Sequence, residues 1–152
     1  MWYRVFCHST DDVPPSDLLA RLHEEGLVVR GDFRGDDLGW SSAEIRFGPG
    51  GPIWLERWLS DEDDLRDDLN SWAAWLESTA SYSKVGPGLM EPMIQTGQLI
   101  TLRKPTDPSD EIVLERLCET VCRFYAARLD GFWQADGRGF FSADGERLVE
   151  EY

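Results

Sequence analysis

Three groups of residues have types and spacing that can do chemistry. Cys118 and Cys122 stand four apart in Cys-Glu-Thr-Val-Cys, which puts two thiols on one side of a helix, as in a soft-metal ligand pair or a redox couple. A zinc ion would want two further ligands, and the only other cysteine and histidines are Cys7, His8 and His23. Both thiols also continue an apolar helical stripe, where free cysteine packs as a small hydrophobe. The expectation is a core position, with no metal site and no cofactor.

His8 is followed by Ser9 and Asp11, the ingredients of acid–base or nucleophilic catalysis. Neighbours at a strand end need not converge on one point, however, and no nucleophile-elbow glycine pattern surrounds Ser9. No catalytic residue is assigned. His23, beside Glu24 and Glu25, belongs at the polar C-terminal edge of a helix, where a cationic imidazole suits the dipole.

The third group is carboxylates: Asp36-Asp37, Asp61-Glu62-Asp63-Asp64 and Asp67-Asp68. Such clusters can bind Ca²⁺ or Mg²⁺ or divide acid and base roles. Asp61, Asp64 and Asp68 fall near one face of a helix, opposite much of its apolar stripe, and a solvated, dipole-stabilised face accounts for them. Asp136-Gly137-Arg138-Gly139 lacks the further oxygen ligands and bidentate Glu of a calcium loop and reads as a hairpin turn. Gly86-Pro87-Gly88 and Gly48-Pro49-Gly50-Gly51 lack the residues of a phosphate loop.

The elements that must position these residues follow from periodicity. Trp2 to His8 alternates as a strand with both faces at least partly covered. Asp11 to Ser16 caps a helix carrying Leu18, Leu19 and Leu22 and ended by Gly26. Leu27-Val28-Val29 opens a second strand, Ala43, Ile45 and Phe47 mark a third, and Ile53 to Leu59 a fourth. Ser60 caps a helix whose apolar stripe is Leu65, Leu69, Trp72, Ala73 and Leu76. Residues 82–97 are irregular, with a helical turn around 89–94. A strand at 99–102, a helix at 111–129 prepared by Asp107-Pro108-Ser109-Asp110, and three short strands after Gly131 complete the chain. Strand–helix–strand–strand thus occurs twice. The expected fold is α+β: an antiparallel sheet with helices packed on one face, ferredoxin-like, with a βαββ unit open to having been used twice.

Length and charge bound what this fold can do. At 152 residues the chain fits a single domain, 1–152. Fifteen basic against 29 acidic residues give a net charge of −14, so nucleic acid and anionic membranes are repelled and cationic partners attracted. No apolar run approaches the roughly 18 residues of a membrane span. Three cysteines without repeated spacing argue against a disulfide framework, and the N-terminus carries no signal-peptide pattern. A cytoplasmic protein, monomer or homodimer, is expected.

The seven tryptophans are the unusual feature. Trp54 and Trp58 share a strand face, and Trp2 lies opposite the Tyr3, Val5 and Cys7 set. Exposed indoles beside carboxylates suit a protein interface. The expected function is non-catalytic binding of a basic protein partner through Trp54, Trp58, Trp2, Asp61, Asp64 and Asp68. Acidic nuclease inhibitors, including immunity proteins of bacterial toxin systems, use that strategy. The alternative is a small enzyme or ligand-binding domain with a pocket near 82–97, drawing on Tyr82, Lys84, Glu91, His8 and Arg103.

Overall fold

The computed structural model describes residues 1–48, 51–59, 61, 63–106 and 110–151, at residue 63 the backbone alone. Ser60 with its expected capping role, Glu62, the loop residues Pro49 and Gly50, and the Asp107-Pro108-Ser109 lead-in lie outside the described residues.

Among the described residues eight strands form one antiparallel sheet: β1 (Trp2–Cys7), β2 (Arg30–Asp36), β3 (Gly39–Arg46), β4 (Ile53–Leu59), β5 (Gln98–Arg103), β6 (Gly131–Ala135), β7 (Gly139–Phe141) and β8 (Arg147–Glu150). Their order across the sheet is β2-β3-β4-β5-β1-β6-β7-β8. The four α-helices among the described residues are α1 (Pro15–Glu24), α2 (Asp63–Ser78), α3 (Met90–Ile94) and α4 (Glu111–Arg128). Single 3₁₀ turns at Thr79–Ser81 and Gly86–Leu89 join α2 to α3. The chain is therefore α+β, and none of these helices is long and apolar enough to cross a membrane.

Strand alternation divides the core in two. Tyr3, Val5 and Cys7 of β1 face a cluster containing Leu18 and Leu22 of α1 and Leu114, Cys118, Val121 and Cys122 of α4. Phe6 points the other way, into a cluster with Leu65, Leu69 and Leu76 of α2 and Met93 of α3. The expectation of helices on one face is thus corrected. The apolar stripe of α2 said that the helix is buried, but a stripe carries no information about which side of the sheet it covers.

The two strand–helix–strand–strand runs are both present in chain order, with α1 and α4 on the same face. Their meanders grow in opposite senses. After α4, β6 pairs next to β1 and the strands step outward; after α1, β2 starts at the edge and the strands step inward to β5. β5 and β6 enclose β1, so β5–α4–β6 is a split crossover.

The second strand begins three residues later than its apolar onset suggests. Gly26, at φ +79°, takes the left-handed C′ position after α1. Its N–H donates to the His23 carbonyl at 3.0 Å, and the Leu27 N–H to Leu22 at 2.8 Å, a Schellman closure. The Leu27 amide is engaged by the helix end and its side chain by the core, so pairing starts at Arg30.

Candidate functional site

The second face of the sheet is only half covered. Trp72 of α2 meets Phe6 at 6.2 Å and Phe140 at 5.7 Å, and Trp75 stacks on Phe140 at 5.7 Å. This places α2 over β1, β6 and β7 and leaves the β4–β5 side open. Register arranges the open side in rows. Trp54 and Trp2 flank Arg103; Glu56 and Arg4 flank Thr101; Trp58 and Phe6 flank Leu99.

Between these rows and α2 runs a cleft of about 560 Å³. Its floor is Trp2, Arg4, Phe6, Glu56, Trp58, Leu99 and Thr101, and its wall is Asp64, Leu65, Asp68, Leu69 and Trp72. Asp64, Asp68 and Trp72 repeat at the four-residue helical spacing and so form one edge of α2. Leu65 and Leu69, the residues that follow the two aspartates, are buried. The aspartates therefore border the apolar stripe and rim the cleft, rather than standing opposite it as the sequence suggested.

The electrostatics of the cleft are one-sided. Among the described residues Arg4 is the only cation in its lining, and Asp136 neutralises it at 2.7 Å while the Gln134 amide oxygen accepts from it at 2.8 Å. The Asp136 carboxyl is partly buried, which opposes its ionisation. Hydrogen bonds from Gln134 and Arg4, together with the Arg4 charge, nonetheless hold it below the usual carboxylate range. Glu56, Asp64 and Asp68 have no cation within 4.0 Å among the described residues. Three uncompensated carboxylates therefore surround an aromatic floor.

Guanidinium groups already rest on several of these indoles. Arg103 lies over Trp54 at 4.6 Å and over Trp2 at 5.7 Å, and Arg4 over Trp72 at 5.2 Å. Trp58 is 38% exposed and, among the described residues, holds no guanidinium and stacks on no ring.

Of the six residues nominated from sequence, Trp2, Trp58, Asp64 and Asp68 line this cleft together. Trp54 continues the same face beyond Arg103, half-buried. Asp61 lies apart, on a hollow with Thr10, Asp12, Leu38 and Gly97. Glu56 and Thr101 were missed. Alternation within Ile53 to Leu59 sets Glu56 between Trp54 and Trp58 and was the available signal; for Thr101 there was none short of knowing the strand pairing.

A hollow does lie against the 82–97 segment, where the alternative reading placed a pocket, but of the five polar residues named for it only His8 lines it. His8 rims this hollow of about 400 Å³ with Leu89, Pro92, Gln95 and Asp130. Arg103 is at the other end of β5, Lys84 is exposed, the Glu91 carboxylate accepts from Gln95, and the Tyr82 hydroxyl donates to the Glu150 carbonyl. Ser9 does not face His8 as a nucleophile: its hydroxyl accepts the Asp11 N–H at 3.1 Å, closing a local turn.

Cys118 and Cys122 are fully buried in the α1–α4 core, as is Cys7. Burial pushes the Cys118 thiol up to about 12 and raises the other two. Among the described residues no group of three or more His, Cys, Asp and Glu is placed to hold a metal ion. Beneath β4, on the face opposite the cleft, Arg57 is buried with its guanidinium on amide and carbonyl oxygens: Gln98 Oε1 at 2.7 Å, Leu38 at 3.1 Å, Trp40 at 3.2 Å and Thr10 at 3.5 Å. It anchors the loops around Thr10 and Leu38 to the end of the sheet.

No family model, curated protein or solved structure matches the chain.

Proposed function

We propose that this chain is a non-catalytic interaction module that binds a basic protein partner, in the manner of the small acidic inhibitors that neutralise toxic nucleases. The observation that carries the reading is the cleft: Trp2, Trp58 and Trp72 share it with Glu56, Asp64 and Asp68, and the one cation that lines it among the described residues is already paired. Indoles anchor interfaces by area, and uncompensated carboxylates speed encounter with a cationic surface. The overall charge of −14 extends that attraction beyond the cleft. We further read the chain as one cytoplasmic domain, monomeric or homodimeric, with a ferredoxin-like ancestry supported by the split β5–α4–β6 crossover and by the repeated βαββ element order.

The test is capture of partners by the tagged protein from lysate of its own cells, at low salt and near 1 M salt, where the Debye length shrinks from about 10 Å to 3 Å. The expected result is a basic protein recovered at low salt, released at high salt, and lost from an Asp64→Asn, Asp68→Asn double variant that remains folded. A partner retained equally by that variant, or held equally at both salts, would refute the reading.

A further inference from the structure

Resting on that reading, we propose that the cleft selects an arginine side chain of the partner, seating its guanidinium on Trp58 between Glu56 and the α2 carboxylates. Trp58 and Glu56 are two apart on one face of β4 and both border the cleft, across from Asp64 and Asp68. Successive same-face residues of a strand are about 7 Å apart. That spacing lets a planar group lie on the indole while its edge reaches the carboxylate.

The same sheet shows which cation this environment suits. Arg103 is shared by Trp2 and Trp54, and Arg4 covers Trp72 while its Nη1 bonds Asp136 at 2.7 Å. Each places a guanidinium carbon over an indole ring, and Arg4 adds a carboxylate hydrogen-bonded to the same guanidinium. Trp58 has the indole and the carboxylates but no guanidinium of this chain among the described residues. A guanidinium satisfies both demands at once, because it stacks through its face and donates in plane through a fork. An ammonium is a strongly hydrated point charge that does neither as well. The occupant is therefore an arginine presented by a basic protein segment rather than a lysine.

The experiment compares hexa-arginine with hexa-lysine, peptides of equal formal charge, by calorimetry at low salt with tryptophan fluorescence as a second readout. The expected result is binding of hexa-arginine about tenfold tighter than hexa-lysine. The preference should disappear in Trp58→Leu and Glu56→Gln, both at exposed positions. Asp37→Asn removes one equally exposed charge in the β2–β3 turn and should leave the preference intact. Near-ultraviolet circular dichroism checks that each variant is folded. Equal affinity for the two peptides, with both weakened by the cleft variants, would overturn arginine selection and leave the partner-binding reading standing. No binding, or binding indifferent to Trp58 and Glu56, would also overturn the inference, and the partner capture then decides the broader reading separately.

Discussion

Replacing Arg57 with methionine should destabilise the fold by about 3 kcal/mol. Methionine keeps the length and apolar character of the stem and removes only the guanidinium, so the cost isolates the polar network. Three of its hydrogen bonds are short, to Gln98 at 2.7 Å, Leu38 at 3.1 Å and Trp40 at 3.2 Å, and the fourth, to Thr10, is marginal at 3.5 Å. Bonds from a charged donor are worth about 1.5–3 kcal/mol each. Their acceptors lose partners in a buried setting, while deleting the charge recovers part of its desolvation penalty. Setting the low end of three such bonds against that recovery leaves about 3 kcal/mol. In a chain of this size that corresponds to a fall in Tm of roughly 6–12 °C. Equilibrium unfolding in urea measures it. A double-mutant cycle with Gln98→Met should show coupling of at least about 1 kcal/mol, because Gln98 also donates to the Ser9 and Asp11 carbonyls. A loss below about 1 kcal/mol would mean that solvent reaches these carbonyls once the side chain is gone, and the anchoring role would be refuted.

Phe140, fully buried among Phe6, Trp72, Trp75 and Phe132, should cost about 3–5 kcal/mol on truncation to alanine; urea unfolding followed by tryptophan emission would show a near-neutral change if that cluster is loosely packed. The thiols of Cys7, Cys118 and Cys122, raised by burial, should be unreactive to a disulfide reagent at pH 8 in the native protein and all react in denaturant; a thiol titrating within seconds without denaturant would contradict the core described. Asp136 has a folded pKa below its unfolded value, so its contribution is present above the unfolded pKa and is lost as pH falls through the folded one. Asp136→Asn should therefore be less stable at neutral pH, by under about 1 kcal/mol given its exposure, and match the parent once both are strongly acidified; a difference independent of pH would refute that linkage.

Periodicity carried the strand and helix positions well because each pattern is local. The stripe Leu65, Leu69, Trp72, Ala73 and Leu76 and the shared face of Trp54 and Trp58 needed no knowledge of partners. Three things were not legible. The side of the sheet that α2 covers depends on how the chain passes from β4 to β5, which no stripe encodes. The onset of β2 depended on the helix end engaging Leu27, where tertiary bonding overrode an apolar run. Arg57 occupies the inward position after Ile53 and Leu55, and a charge at that point of an alternating strand was the one sign of its buried network. The cleft itself was half legible: its tryptophans and aspartates stood out by type, but their convergence rests on β1 pairing with β5, nearly a hundred residues away.

That pairing has a consequence for how the molecule comes into being. Strands β2 to β5 form one meander and β6 to β8 another, and among the described residues the only ladder joining them runs through β1. Residues 2–7 are far in sequence from both of their neighbours in the sheet, 98–103 and 131–135. Seating β1 between the two half-sheets closes loops of about a hundred residues, the kind of long-range pairing that slows folding. The protein is in effect a two-piece sheet welded by a single central strand, and both floor tryptophan Trp2 and cleft cation Arg4 belong to that weld.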